Sequence, residues 1–292
     1  GALGTHYRSW LPAANPPPAP AFTQLPADGA CVPVGEVRFQ WRAQRNAELK
    51  SPDGWLGLVG LFWLQPGTNL VGSAEDAVVR LPGGPAQLGD LCWQADGVTW
   101  QPRVGQAQSL QTDHQGSPTT VDCGNLSFFV VDRDGQLAVR VRDRDWAASK
   151  RVASLSYFDY APDWCITADW QVLSPVVSME VPNVSGDLKR VEVGFKAVFS
   201  VGGQDFELRP MSVSEKEIFF VFRDRTSGKE TYGAGRFLKV LPAVDGKITL
   251  DFNFAYNPPC AFTPFATCPL PPPENWLPFA VPAGEKTWMA GS

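Results

Sequence analysis

The chain has 292 residues and a formal net charge of −5, and 44% of its residues are hydrophobic. Its basic residues are spread thinly, which excludes the basic face that a nucleic-acid-binding protein needs. The best apolar run, Leu56–Leu64, is far shorter than the about 18 to 20 residues that cross a bilayer, so the chain does not span a membrane, and peripheral membrane contact stays open.

Residues 1–34 are rich in proline and include the run Asn15-Pro-Pro-Pro-Ala-Pro20. This composition favours extended, polyproline-like backbone, so we predict a Pro-rich extended arm. Its apolar side chains could anchor the arm to its own domain or to a neighbouring subunit; they are Trp10, Leu11, Phe22 and Leu25.

Since the chain starts with Gly1, we expect a presequence to have been removed and the protein to reside in a mitochondrion or plastid, with export as the alternative.

Residues 36–50 predict one amphipathic helix, because good helix formers dominate and Pro52 prevents continuation at Ser51. We expect Phe39, Ala43 and Ala47, at four-residue steps, to form its buried face.

After this helix the pattern changes to short β-type runs separated by turn signals such as Asp134-Gly135 and Asp245-Gly246. The predicted strands are 58–64, 77–81, 98–100, 126–131, 137–141, 166–170, 176–181, 196–201, 205–208, 218–222, 237–240 and 248–252. Residues 257–282 are too rich in proline for regular structure, so we predict a long coil packed across the sheet. The fold class is therefore mainly β: a single large antiparallel sandwich or barrel-like domain, residues 35–292, with one N-terminal helix, the Pro-rich arm and a long C-terminal coil.

The stretch from Phe222 to Pro273 sets ionisable and amide side chains between aromatic residues and prolines. Buried polar groups require specific partners, so this stretch is either a ligand site or a structural network of mutually neutralising charges beneath the coil. As a site, its candidate catalytic residues are Asp224, Asp251 and Cys260, and its candidate ligand-binding residues are Arg223, Arg236, Asn253 and Asn257. The site hypothesis predicts an open pocket beside Arg236.

Cys260 and Cys268 lie in the predicted coil and are bracketed by prolines. Cys260 could act as a nucleophile if its pKa were depressed, but no partner base is evident near it in the sequence. A structural role for both residues, as a disulfide that clamps the coil or as two buried thiols, is the favoured interpretation. Metal-ligand spacings such as CxxC pairs do not occur, so we predict neither a metal nor a cofactor.

Three blocks together carry a family resemblance: WLGLVGLFWLQPGTNLVGS at 55–73, FVFRDRTSGKETYGAGRFL at 220–238 and DFNFAYNPPCAFTPFATCPLPPPENWLP at 251–278. Over about residues 40–286 the chain resembles the domain-of-unknown-function 1684 family. The resemblance implies no activity, because the family has no settled one. Phe265 and Trp276 stand where the family pattern leads us to expect Tyr and Arg, which removes a hydroxyl and a charge next to the polar stretch.

We therefore expect a non-catalytic accessory or structural subunit of a larger, organellar protein assembly, whose partners are other protein subunits bound through the arm and an aromatic surface. The alternative is a hydrolase-like enzyme, or a binder of a small anionic metabolite, that uses the Arg, Asp, Asn and Cys side chains of residues 223–268.

Overall fold

A computed structural model of the protein describes residues 35–290. Within this range the chain is mainly β, with strands that are almost all antiparallel and one long N-terminal helix, so the predicted fold class is confirmed. The Pro-rich arm and its four apolar anchors lie outside the described residues. None of the helices in residues 35–290 is long and apolar enough to cross a membrane.

Helix α1 is Glu36–Lys50 and helix α2 is Trp146–Ser149. The strands in chain order are β1 (Leu58–Trp63), β2 (Gly67–Gly72), β3 (Val79–Arg80), β4 (Gly89–Gln94), β5 (Gly97–Pro102), β6 (Gln108–Leu110), β7 (Val121–Cys123), β8 (Leu126–Arg133), β9 (Gln136–Asp143), β10 (Cys165–Pro182), β11 (Leu188–Val201), β12 (Gln204–Leu208), β13 (Ser212–Val213), β14 (Ile218–Phe222), β15 (Arg236–Val240) and β16 (Lys247–Asp251).

The bounds of α1 agree with the prediction, but its predicted buried face is wrong. Phe39 is 74% exposed, and Ala43 and Ala47 are exposed too. The helix buries the face two positions further along the chain, which consists of Trp41, Arg45 and Leu49. Trp41 determines this orientation, because it packs edge-on against the rings of Tyr157 and Phe254 in the β core.

Residues 58–141 enclose one apolar core. The four-stranded sheet β1-β9-β8-β7 packs against the five-stranded sheet β3-β2-β4-β5-β6, and Trp100 of the second sheet meets Phe128 of the first edge-on. The β8–β9 turn is the predicted Asp134-Gly135 pair, and both residues have positive φ, at 55° and 83°. Two-residue hairpin turns of this kind require positive φ at both central residues, and Asp and Gly tolerate positive φ.

The C-terminal half of the chain builds a second core around the sheet β13-β14-β15. All five residues of β14 and all five of β15 are buried. Alternate side chains of β14 enter two different apolar clusters: Phe220 and Phe222 enter one, and Phe219 and Val221 enter the other. The sheet β12-β11-β10-β16 supplies about half of the remaining buried side chains of this core, and α1 and the segments after β16 supply most of the others. Burial on both faces explains the continuous apolar sequence of β14, whereas β15 buries two charged residues, Arg236 and Lys239, among its apolar ones.

The predicted strands are largely confirmed, although two predicted runs, 166–170 and 176–181, form the single strand β10. Strands β2, β4, β6, β7 and β13 were not predicted. The coil over residues 257–282 is confirmed: it contains short 3₁₀ turns and isolated β-bridges at Pro269 and Trp276, but no α-helix or strand. Its Phe265 packs against the sheet β1-β9-β8-β7, so the coil contacts both halves of the β structure. The number of domains stays a prediction.

Candidate functional site

The β14–β15 hairpin places three of the predicted site residues next to the coil. Phe222 and Arg236 are directly opposite each other across the two strands, and Arg223 and Asp224 follow immediately after β14. Gly235 enters β15 with a φ of 101°, and a Cβ at this position would overlap the carbonyl oxygen of Phe222. The hairpin can therefore close this tightly only with glycine at this position.

Asp224 has a fully buried carboxylate whose two oxygens are both occupied. It accepts hydrogen bonds from the Thr226 hydroxyl at 3.0 and 2.8 Å and from the backbone amide of Val281 at 2.6 Å. Its Oδ1 lies 3.6 Å from Nη2 of Arg236, and both side chains are 0% exposed. This carboxylate holds the coil to the hairpin.

Arg236 binds three backbone carbonyls at the end of the coil and just after it. Its guanidinium donates to the oxygens of Val281 at 3.0 Å, of Glu285 at 3.3 Å and of Ala283. Burial lowers the pKa of Arg236, and the nearby carboxylate of Asp224 opposes this shift. A buried guanidinium with this set of acceptors fixes the path of residues 281–285.

Asp251 and Asn253 form a separate cluster at the end of β16. Oδ1 of Asp251 accepts from the backbone amide of Asn253 at 3.1 Å and from its Nδ2 at 2.9 Å. Asn253 also exchanges two hydrogen bonds with the backbone of Ala161, at 3.0 and 2.9 Å. Burial raises the pKa of Asp251, whose Oδ2 has no hydrogen-bond partner within the described residues.

Asn257 leads to a buried ion pair that sequence reasoning missed. Its backbone amide donates to Oε1 of Glu285 at 2.9 Å, and its Nδ2 donates to the carbonyl of Lys286 at 3.0 Å. Glu285 is 0% exposed and accepts two hydrogen bonds of 2.6 Å from Arg45 of α1 and one of 3.0 Å from the Tyr157 hydroxyl. We call the connected set Arg45, Tyr157, Asp224, Arg236, Asn257 and Glu285 the buried polar network.

The ionisation of this network follows from its geometry. Burial opposes the charge of Arg45, but Glu285 outweighs it and raises the pKa of Arg45. Burial and then the charge of Glu285 raise the pKa of Tyr157, so its hydroxyl stays a hydrogen-bond donor. Arg45 therefore keeps its positive charge, and Tyr157 keeps its proton.

Arg223 is partly exposed, and its side chain makes none of the hydrogen bonds of the buried polar network, although it directly precedes Asp224 in the sequence. Its guanidinium stacks 4.9 Å from the ring of Trp276, which is 53% exposed. The backbones of the two residues also form an isolated β-bridge. Arg223 thus covers an aromatic side chain at the edge of the coil.

Cys260 and Cys268 are free thiols in the described structure. Cys260 is half-buried, Cys268 is buried, and both belong to the same apolar cluster. The Tyr232 hydroxyl lies 3.6 Å from Sγ of Cys260. We call Cys260 and Cys268 the thiol pair.

The predicted site residues thus divide into four places: the buried polar network, the Asp251–Asn253 cluster, the Arg223–Trp276 stack and the thiol pair. Two sizeable cavities lie elsewhere. One, of about 940 Å³, is lined by Trp63, Trp93, Asp134, Leu188 and Arg190 among others, and the other, of about 460 Å³, by Leu58, Trp146, Arg151, Phe262 and Trp288 among others. Asp224, Arg236 and Asp251 line neither cavity. No group of three or more His, Cys, Asp or Glu side chains suited to a metal ion occurs in residues 35–290.

The model of a family described as a protein of unknown function, DUF1684, matches residues 150–286. This range contains all the predicted site residues but not the block at 55–73. The chain is also similar to an uncharacterized protein of Haloarcula marismortui with a solution NMR structure: the two are 37% identical over 46% of this chain and 77% of that one, with a TM-score of 0.39. A search of curated proteins found no match.

Proposed function

Since the chain belongs to the DUF1684 family, for which no function is established, we propose that it is a non-catalytic accessory subunit of a larger protein assembly. The observation that carries this proposal is that Asp224 and Arg236 form a fully buried ion pair and direct their hydrogen bonds to Thr226 and to backbone groups of residues 281–285.

The energetics of burial support a structural role for this pair. A buried charge is tolerated only when it is paired and hydrogen-bonded, and here each charge has a partner inside the protein. A substrate anion at Arg236 would have to displace the Asp224 carboxylate and the carbonyls of residues 281–285. Chemistry at this place would thus require detachment of the coil.

The solvent-facing stripe of α1 supplies a surface for a partner. Phe39 is 74% exposed, and Ala43 and Ala47 continue the same face at four-residue steps. Gln40 and Gln44 beside this stripe are neutral, so no charge needs to be desolvated at its centre. A large aromatic side chain followed by two small ones suits an apolar helix of a neighbouring subunit, because the small residues let the two backbones approach.

The proposal includes the Pro-rich arm as a second contact with neighbouring subunits and places the assembly in a mitochondrion or plastid, with export as the alternative. Exposed aromatic residues such as Trp63, at 42%, and Trp276, at 53%, are further candidate contacts. Fractionation of the native cells, followed by detection of the chain, tests the compartment independently of the partner.

The alternative is a hydrolase, or a binder of a small anionic metabolite, that uses residues 223–268. It is less favoured because the acids and bases that it needs lie in separate clusters, and Asp224 and Arg236 are fully buried. It predicts that some anionic metabolite raises the melting temperature of the isolated chain by mass action. It also predicts that Arg236→Lys removes this response.

The decisive experiment expresses the tagged full-length chain in its native source and measures its assembly by native electrophoresis and co-purification. We expect a complex well above the mass of one chain, depleted by Phe39→Asp. The matched control is Val104→Asp, because Val104 is 92% exposed on the β5–β6 loop, far from α1 in sequence. A wild-type chain that migrates as a monomer, or equal assembly of both variants, contradicts the proposed interface.

A further inference from the structure

We propose that the cavity of about 460 Å³ binds one fatty acid, with the hydrocarbon chain inside the cavity and the carboxylate at Lys150 and Arg151. This inference does not depend on the accessory role proposed above. It also differs from the metabolite-binding alternative, because none of the catalytic or ligand-binding residues predicted for that site lines this cavity. It rests on the apolar wall of the cavity and on the charges beside that wall.

Four segments that are distant in the sequence form the wall. They are the start of β1, the start of α2, the coil and the last part of the described chain, and they contribute Leu58, Trp146, Phe262 and Trp288 in this order. Leu58 is 5% exposed and Trp146 is 2% exposed, so part of the wall belongs to the packed interior. The rings of Phe262 and Trp288 meet edge-on with their centroids 5.4 Å apart. Packing within the protein therefore holds the wall in shape without a ligand.

The polar groups of the wall are engaged with the protein backbone. Nε1 of Trp146 donates to the carbonyl of Pro52, and Nε1 of Trp288 donates to the carbonyl of Ala153, each at 3.0 Å. The hydroxyl of Thr263 accepts a hydrogen bond from a backbone amide at 3.2 Å. Since the indole N–H groups are occupied, a ligand in the cavity meets mainly hydrocarbon and aromatic surface. Such a wall favours a hydrocarbon chain over a polar ligand.

The charges beside this wall are all positive. Among the described residues, the charged side chains that line the cavity are Lys150 and Arg151, which are adjacent in the sequence and exposed. Nζ of Lys150 donates to the neutral hydroxyl of Ser154 at 3.1 Å. The guanidinium of Arg151 makes neither a hydrogen bond nor an ion pair within residues 35–290. In a chain with a net charge of −5, two neighbouring cations without a carboxylate partner can take that partner from a ligand.

A fatty acid matches both features of the cavity. Its single chain fits an apolar wall, and its carboxylate accepts hydrogen bonds from an ammonium group and from a guanidinium. The volume of about 460 Å³ lies near the lower end of the about 300 to 1,000 Å³ typical of small-molecule sites, which favours one chain over the two chains of a phospholipid.

The test titrates the purified full-length chain with octanoate, dodecanoate and palmitate below their critical micelle concentrations. Isothermal titration calorimetry and tryptophan fluorescence measure the binding. We expect one site per chain, and an affinity that rises by roughly three- to fourfold for each added methylene until the cavity is full. Hexadecanol has the same chain as palmitate but no carboxylate, and should bind at least about fivefold more weakly at low salt.

Reversal of the two charges tests the position of the carboxylate. Lys150→Glu combined with Arg151→Glu should lower the affinity for palmitate by at least about tenfold, and should change the affinity for hexadecanol by less than about twofold. Both residues are exposed, so the variant should keep the fold. The matched control is Lys216→Glu, because Lys216 is an exposed cation between β13 and β14 that does not line the cavity. It should bind palmitate as the wild type does.

Several outcomes would overturn the proposal. The absence of saturable palmitate binding would refute it, and this outcome includes occupation of the cavity by residues 1–34 of the same chain. Equal affinities for octanoate and palmitate would mean that surface charge alone binds the carboxylate. Binding to vesicles of phosphatidylglycerol without binding of dissolved palmitate would assign the two cations to a membrane surface instead. An equal loss of palmitate binding in Lys216→Glu would show that Lys150 and Arg151 have no particular role.

Discussion

Arg45 and Glu285, which are 240 residues apart in the sequence, form a buried two-point ion pair with N–O distances of 2.6 Å. Glu285 is 0% exposed, and the remaining hydrogen bonds to its carboxylate come from the Tyr157 hydroxyl and the backbone amide of Asn257. The pair fastens the N-terminal helix to the last part of the described chain. The orientation of α1 and the end of the coil are therefore energetically dependent on each other.

Removal of one charge of this pair should be costly. Glu285→Gln leaves the Arg45 guanidinium buried without a counterion, so the free energy of unfolding should fall by about 3 to 5 kcal/mol. Urea unfolding monitored by tryptophan fluorescence measures this free energy of unfolding. As a control, Lys247→Ala breaks an exposed ion pair with Asp169 and should cost no more than about 1 kcal/mol. Equal losses for the two variants would mean that the Arg45–Glu285 pair does not hold the fold.

Two arginines separated by only 13 positions should respond very differently to the same replacement. Arg236→Lys loses the planar group that reaches three carbonyls and Asp224, and should destabilise the protein by about 2 to 4 kcal/mol. Arg223→Lys keeps a cation near the exposed ring of Trp276 and should cost under about 1 kcal/mol. Thermal and urea unfolding of both variants compare them directly. A larger loss for Arg223→Lys would refute the structural role assigned to Arg236.

The glycines of the β14–β15 loop give a stability test based on backbone conformation. In Gly235→Ala the new Cβ would overlap the carbonyl oxygen of Phe222 at a φ of 101°, so we expect a loss of at least about 2 kcal/mol. Gly233→Ala has its nearest neighbour, the Cα of Gly228, at 3.7 Å and no positive φ, so it should be nearly neutral. Differential scanning fluorimetry measures the melting temperatures of the two variants. Similar melting temperatures would show that the hairpin accepts a side chain at position 235.

Asp251 should make stability depend on pH. Burial raises the pKa of Asp251 in the folded state, so binding of a proton to this carboxyl group favours folding. The stabilisation by the bound proton is fully present below the ordinary pKa of 3.8. It is lost as the pH rises through the raised pKa of the folded state. Asp251→Asn removes the titration. The unfolding free energy of the wild type minus that of the variant should therefore decrease as the pH rises above 3.8.

Urea titrations of both proteins at a series of pH values measure this difference. Asp169→Asn replaces a carboxyl group that is 52% exposed and serves as the control for the effect of the substitution itself. A difference for Asp251→Asn that stays constant, or that increases with pH, would show that burial does not govern this carboxyl group.

Much of the fold could be predicted because its signals are local. The helix ends where Pro52 forbids the next residue, and the turn at Asp134-Gly135 has the positive φ values that such pairs favour. The sequence does not predict strands β2 and β4, because glycines and polar residues interrupt the alternation of apolar residues in them. These segments are strands because they pair with each other. The buried face of α1 was misassigned because Phe39 and Trp41 are both large and apolar, and only the position of the Tyr157 and Phe254 rings selects Trp41.

The candidate site was predicted less completely, because its partners are distant in sequence. The sequence predicted that the charged groups of this stretch could neutralise one another, and Asp224 and Arg236 form such a pair. Nothing near Glu285 in the sequence marks it as the acceptor for Arg45 and Tyr157, since both arrive from elements more than a hundred residues away. Asp251 and Asp224 looked alike as isolated carboxylates, yet they lie in different clusters.

The ion pair between α1 and Glu285 also sets an order of events during synthesis. A nascent chain carries Arg45 out of the ribosome long before Glu285 is translated, so the helix has no counterion for its guanidinium while most of the β structure is emerging. The ion pair of the first helix can then form only after residue 285 has left the ribosome. In a chain truncated before Glu285, the aromatic contacts of Trp41 would remain available, but the Arg45 guanidinium could occupy its buried place only as an unpaired charge.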